Sequence, residues 1–213
     1  MSNPLDQLRD NHSDFSRNQE AFHFTDPFLA FETWFNLAVS SGEKEANAMV
    51  ISTVNEAMKP SSRVVYLKEI ANQQFVFYTN YLSHKGKDLS QNPNASLLFF
   101  WPGLERQIRI EGTVNKISET ESDAYFASRP RESQLGAWAS HQSEPLKEMG
   151  EITQRFKELD QEFPGEVPRP KHWGGMALRP TYLEFWQGQA SRLHERVCFK
   201  LNEDEWQISR LNP

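Results

Sequence analysis

Apolar positions follow two rhythms along this chain. Phe28, Phe31, Phe35 and Ala38 recur at helical spacing, with Thr25 or Asp26 placed to cap, Pro27 at the first position and Gly42 past the end. Over the next hundred residues the pattern turns β-rich. Residues 48–54, 63–70, 74–79, 95–101 and 107–117 read as strands, with turns at 55–60, at Asn72-Gln73 and at Pro102-Gly103. Ser83 opens a short helix that ends near Asn92-Pro93. Helical spacing returns after Ile117, where Ser118 and Glu121 form a capping box before a segment ending near Ser128. Leu146, Met149, Ile152, Phe156, Leu159 and Phe163 then repeat at three and four, which predicts a long amphipathic helix. Residues 164–170 hold three prolines and read as a loop, and 181–186, 197–201 and 206–211 close the chain as strands. A β-meander interleaved with helices is an α+β pattern, most simply a barrel with flanking helices. Residues 1–25 are polar and read as an arm; 26–213 carry no Pro/Gly/Ser linker and read as a single domain.

Composition narrows the class. With 213 residues, 38% hydrophobic and 12% aromatic, the chain can bury a core without disulfide or metal staples. A formal charge of −6 argues against a nucleic-acid or acidic-membrane binder. Cys198 is the single cysteine, so an intrachain disulfide and a multi-cysteine zinc site are both excluded. No run of 18 apolar residues exists and the first ten residues are not signal-like, so a cytoplasmic location is expected. The GxSxG, P-loop, GxGxxG and HExxH motifs are absent, and the six histidines lack metal-ligand spacing, so no metal is expected.

Four clusters carry candidate chemistry. Arg63 and Lys68 stand five apart in an otherwise apolar run, a spacing that puts them on opposite faces of a regular strand and that suits two solvated edge charges equally well. Tyr78-Thr79 and Ser83-His84-Lys85-Gly86 bring hydroxyls, a cation and a helix start together, as phosphate sites do and as simple N-caps also do. Residues 128–140, SRPRESQLGAWAS, crowd Arg129, Arg131, Ser133 and Gln134 around an apolar step; planar guanidinium forks suit phosphate or carboxylate, and an exposed helix start over a buried Trp138 is the alternative. In FWQGQASRLHER, an extended backbone would set Arg192, His194 and Arg196 on one face, a row that repels itself unless an anion or a planar ligand lies against it.

Taken in this order, the clusters resemble the pyridoxine (pyridoxamine) 5′-phosphate oxidase family over residues 26–213. LEFWQGQASRLHER and RPRESQLGAWAS carry the resemblance, supported by RVVYLK, FYTN, SHKGKDL and LERQ. It implies an FMN-binding split β-barrel homodimer with FMN at the subunit interface. The implied activity is oxidation of pyridoxine 5′-phosphate or pyridoxamine 5′-phosphate to pyridoxal 5′-phosphate, with O2 as acceptor and H2O2 as product. By the family pattern Arg63, Val64, Val65, Tyr66, Leu67, Lys68, Tyr78, Thr79, His84, Lys85, Gln107, Gln142, Ser143, Trp186 and Arg196 fall at FMN positions. Lys68, Tyr125, Arg129 and Ser133 fall where the substrate phosphate is held; Arg192 and His194 fall beside the pyridine ring, as the catalytic pair, and Arg9 in the covering arm.

Two positions depart from the family pattern. His12 stands where the arm usually has Tyr, and His84 stands where Arg usually precedes the phosphate lysine. Two other readings remain on sequence alone: a related flavin oxidase of phenazine-type biosynthesis, whose substrate lacks the phosphate, and a non-catalytic flavin or pyridoxal phosphate binder. Arg129 and Ser133 speak against the first, Arg192 and His194 against the second.

Overall fold

The computed structural model describes Leu5, Phe15 and residues 22–213. The described chain forms two compact units. One comprises Asn47–Leu97 and Glu111–Thr181; the other comprises Leu98–Ile110, Tyr182–Pro213 and the described residues up to Ala46. Three strands, β5 (Asn94–Trp101), β6 (Arg106–Lys116) and β7 (Trp173–Gln187), each contribute to both units.

The first unit is built on antiparallel pairing. β1 (Ala48–Val54) pairs with β2 (Pro60–Tyr66), and β4 (Gln74–Asn80) pairs with both β3 (Glu69–Ala71) and the Trp173–Leu178 half of β7. The run expected as one strand over 63–70 is broken at Leu67-Lys68. There the backbone changes partners: Leu67 N–H donates to Asn47 O and Lys68 N–H to Val76 O, both at 2.9 Å. Helix α2 (His84–Gln91) starts where Ser83 accepts from Gly86 N–H and ends at Asn92, as its sequence requires. Gly86 is obligatory, because a Cβ there would lie 2.2 Å from the Tyr81 carbonyl oxygen. α3 (Glu119–Ser128) carries the expected Ser118–Glu121 capping box. α4 (Arg131–Ala139) and α5 (Met149–Glu162) follow, with Phe126, Leu135, Val167 and Trp173 forming their shared core. Leu146 lies outside α5, whose expected start was three residues too early.

The second unit packs α1 (Pro27–Ser40) by Phe28, Phe31, Trp34 and Ala38, with Phe99, Trp101, Phe185 and Phe199 among its other buried residues. The Asp26 side chain accepts from Phe28 and Leu29 N–H, both at 2.8 Å, so Asp26 rather than Thr25 is the cap. β8 (Glu195–Asn202) pairs with the second half of β7 and with β9 (Glu205–Arg210). β7 begins eight residues before the strand expected at 181. Gly174-Gly175 and Pro180 read as breakers, yet all three are accommodated within the strand. Among the described residues no helix is long and apolar enough to cross a membrane.

Candidate active site

The first unit holds a cleft of about 480 Å³. One wall is the end of β2 and the residue after the break: Val64, Val65, Tyr66 and Lys68. Strand alternation leaves Val64 and Tyr66 exposed while Val65 packs into the core. Another side is the end of β4, Tyr78-Thr79-Asn80, followed by Lys85 on the first turn of α2. Tyr125, Arg129, Pro130, Ser133, Gln142 and Trp173 complete the lining.

Lys85 is the buried cation of this cleft, 8% exposed. Its Nζ donates to Gln142 Oε1 at 2.9 Å and to Ser83 Oγ at 3.3 Å, so both partners are neutral. Burial, with the nearby Arg63 charge adding to it, pushes its ammonium down to about 8. Arg63 stands behind the lining. Its Nη1 donates to Thr53 Oγ1 at 2.7 Å and its Nη2 to Ser61 Oγ at 2.5 Å. Thr53 in turn donates to the buried Asp88 at 2.6 Å, and Arg63 Nη2 stands 4.0 Å from the same carboxylate oxygen. Burial lowers the Arg63 guanidinium, against the pull of Asp88.

Part of the lining is aromatic. The Tyr78 and Tyr125 rings stack at 3.7 Å with a 14° interplanar angle, and Trp173 lies parallel to both, 5.4 Å and 6.3 Å away. Burial, with weaker contributions from Glu69 and Tyr125, pushes the Tyr78 hydroxyl up to about 12, so it stays a proton donor. The Arg129 guanidinium covers Trp173 at 4.5 Å and Phe126 at 5.6 Å. Among the described residues its buried Nη1 has no hydrogen-bond partner, and neither has Thr79 Oγ1. Two orphaned polar atoms on one cleft, beside a cation with only neutral partners, describe a site shaped for an anionic ligand.

Most residues singled out from sequence meet here: Val64, Val65, Tyr66, Lys68, Tyr78, Thr79, Lys85, Tyr125, Arg129, Ser133 and Gln142. Leu67 is buried beneath the lining rather than on it. His84 is engaged on its own helix, with Nε2 3.6 Å from Asp88 Oδ1. Ser143, at φ 71°, lines a neighbouring cavity with His141 and Glu144. Arg131 is not a ligand donor: it ion-pairs with Asp160 at 2.7 Å and donates to the Phe163 and Gly165 carbonyls, closing the end of α5. Arg9, like His12, lies outside the described residues. Trp173, Asn80 and Pro130 were not anticipated as lining residues. The strand that presents Trp173 was placed too late in the sequence, although HWGG next to a proline-rich loop was a usable signal.

Gln107, Trp186, Arg192, His194 and Arg196 belong to the second unit. The single strand face expected for the last three does not form. Ser191 and Arg192 take positive φ of 60° and 61° in a 3₁₀ turn, and β8 starts only at Glu195. Arg196 finds its counter-charge inside the protein. Its Nε donates to Glu184 Oε1 at 2.7 Å and its Nη1 to Asn212 O at 3.1 Å. His194 Nδ1 accepts from Gln189 N–H at 3.1 Å, which leaves the neutral ring's proton on Nε2. The Trp186 and Phe15 rings flank it at 4.7 Å and 5.3 Å.

Comparison with known proteins agrees with this arrangement. Residues 38–162 match the family described as pyridoxamine 5′-phosphate oxidase, and 173–213 match the pyridoxine 5′-phosphate oxidase C-terminal dimerisation region. A pyridoxine/pyridoxamine 5′-phosphate oxidase of Leptospira biflexa is 50% identical over 99% of this chain and 100% of its own length. One from Microcystis aeruginosa is 54% identical over 88% of this chain and 89% of its own. Among solved structures, PhzG from Burkholderia lata in complex with tetrahydrophenazine-1-carboxylic acid superposes with TM-score 0.85 at 28% identity, covering 89% of this chain and 94% of that one. An FMN-binding, pyridoxamine 5′-phosphate oxidase-related protein of Nostoc punctiforme gives TM-score 0.71 at 17% identity, over 88% of this chain and 98% of that one, a likeness of fold. The fold is the α+β split β-barrel expected from the sequence, and the chain belongs to the pyridoxine/pyridoxamine 5′-phosphate oxidase family.

Proposed function

We propose that this protein is an FMN-dependent oxidase of phosphorylated B6 vitamers. Pyridoxine 5′-phosphate and O2 give pyridoxal 5′-phosphate and H2O2; pyridoxamine 5′-phosphate, O2 and water give the same products and ammonia. The observation that carries the reading is the cleft itself, where buried Arg129 Nη1 and Thr79 Oγ1 lack partners and Lys85 has only neutral ones. Those open positions fit two phosphorylated ligands. Lys85, Arg63, Thr79 and Gln142 would hold FMN, with Val64–Lys68 along it and His84 and Ser143 beside it. Bound FMN supplies the electron acceptor that O2 reoxidises.

The chain's own residues do the rest. Lys68, Tyr125, Arg129 and Ser133 grip the substrate phosphate and so fix the ring's depth in the cleft. Arg192 and His194 act beside the pyridine ring, His194 donating through Nε2. Gln107, Trp186 and Arg196 complete the cofactor site in a homodimer, for which the match of 173–213 to a dimerisation region is the support.

The test is oxygen uptake with simultaneous pyridoxal 5′-phosphate and H2O2 formation by the FMN-loaded protein. Turnover should require the 5′-phosphate. Tight FMN binding without oxygen uptake would make the protein a carrier. Preference for an unphosphorylated tricyclic acid would place its activity with the phenazine-type neighbour.

A further inference from the structure

The unanticipated wall residue, Trp173, has a role that neither the motifs nor the family comparison assigns. We infer that Trp173 is a positioning residue that sets the specificity for a phosphorylated substrate by holding Arg129 through its ring face. The inference rests on the proposed role of Arg129 and deepens it.

Arg129 needs a holder. It is the C-cap of α3, the segment that leads into α4, and among the described residues its guanidinium makes no hydrogen bond or ion pair. What touches the guanidinium are two rings, Trp173 at 4.5 Å and Phe126 at 5.6 Å. Trp173 is itself well fixed. It is 7% exposed, Phe126 packs edge-on against it at 5.2 Å, and Arg169 Nη1 donates to its carbonyl at 2.7 Å. Its backbone N–H is tied to Pro170 O at 2.9 Å, and its plane runs parallel to Tyr125 within 6°. One indole thus lies under a cation and runs parallel to Tyr125, another proposed phosphate ligand.

The chemistry of this holder matters. A carboxylate would orient an arginine but cancel its charge and occupy its donors. An aromatic face attracts the cation through its quadrupole and leaves the in-plane N–H donors open. The orphaned Arg129 Nη1 is what such a holder leaves behind. A phosphate dianion then meets a fixed guanidinium that has given up no hydrogen bond to the protein.

The test is a cycle of four FMN-loaded proteins: wild type, Trp173→Leu, Arg129→Ala and the double variant, with Trp173→Phe added. Dissociation constants for pyridoxal 5′-phosphate and for unphosphorylated pyridoxal are measured by titration. Trp173→Leu should weaken pyridoxal 5′-phosphate binding about tenfold and Trp173→Phe about threefold, leaving pyridoxal within twofold. In the Arg129→Ala background, Trp173→Leu should cost less than about twofold more. Unchanged FMN affinity checks that each variant is folded; if the leucine variant does not fold, the phenylalanine variant and its own Arg129→Ala double carry the test. Equal losses for both ligands, equal losses in both backgrounds, or no loss would overturn the inference. Because the readout is binding, absence of turnover in the wild type would sink the proposed activity without touching this result.

Discussion

Lys85 should make FMN affinity fall as pH rises above about 8. Its ammonium is buried, it stands near Arg63, and its pKa is pushed down to about 8. A phosphate dianion stabilises the protonated form, so binding draws the pKa back toward the ordinary lysine value of about 10.4. Below pH 8 the amine is already charged and affinity is flat. Between the free and bound values each binding event must take up a proton, so affinity drops up to tenfold per pH unit. From pH 7 to pH 9 the expected loss is about tenfold, or about 1.4 kcal/mol. The other charged groups on these elements are Arg63 on β2 and His84, Lys87 and Asp88 on α2, of which His84 and Asp88 pair with each other. Flavin fluorescence quenching gives the dissociation constant across this range. Lys85→Gln should bind more weakly at every pH and show a flat profile. A flat wild-type curve, or the same slope in Lys85→Gln, refutes the reasoning. So does a fall that disappears in His84→Gln, which would mean that His84 leaves Asp88 to bind the phosphate.

Four further outcomes follow from the same geometry. Arg129→Ala and Lys68→Ala should each weaken the phosphorylated substrate by about 10- to 150-fold, from roughly 1.5–3 kcal/mol per charge-assisted contact, and lose discrimination against pyridoxine; steady-state kinetics with both substrates reads this. Gly86→Ala should destabilise the fold and lower FMN affinity together, because the added methyl meets Tyr81 backbone 2.2 Å away; urea unfolding with and without FMN separates the two effects. Glu184→Ala should cost roughly 1–3 kcal/mol, since Arg109 and Arg196 each lose a charge-assisted hydrogen bond while both stay partly exposed to water. Burial tends to raise the Glu184 carboxyl, but hydrogen bonds from Arg196 and Tyr182 and the Arg109 charge hold it below its usual value. Its contribution is therefore present above the unfolded carboxylate value of about 4.3 and lost as pH falls through the lower folded value, so acid unfolding of Glu184→Gln should show a shallower pH dependence.

Much of this was legible because local signals and tertiary context agreed. Ser83, Ser118 and Asp26 cap where their side chains predict, since a capping hydrogen bond needs only neighbours in sequence. The cleft's cations were legible as chemistry, being costly residues in apolar strands. What failed were inferences needing long-range partners. Residues 63–70 read as one strand, but the backbone hands over from Asn47 to Val76 at Leu67-Lys68, twenty residues behind and eight ahead. Gly174, Gly175 and Pro180 disguised the start of β7, and Trp173 was lost with it. The row of Arg192, His194 and Arg196 was judged unstable without an external anion. The counter-charge was Glu184, on the neighbouring strand and invisible to spacing.

The way each arginine is held separates the tasks that three of them can perform. Arg196 is bound to a buried carboxylate at 2.7 Å, which Arg109 shares, and to the Asn212 carbonyl, so most of its fork is committed. Such a group can place a hydrogen bond on a neutral, planar ligand, but it has few donors left to grip a dianion. Arg63 is intermediate. Its donors go to hydroxyls and its carboxylate partner stands back at 4.0 Å, where the attraction is weaker and Lys85 adds a second positive charge. Only Arg129 of the three is held without an anion, by ring faces, with a buried donor unspent. Donors open to a phosphate are therefore found at Arg129 and around the Lys85–Arg63 pair, and few remain at Arg196. On the proposed function, that ranking would place the two phosphates at Arg129 and at the Lys85–Arg63 pair and would leave Arg196 an orienting role, a division of labour suited to a phosphorylated cofactor and a phosphorylated substrate.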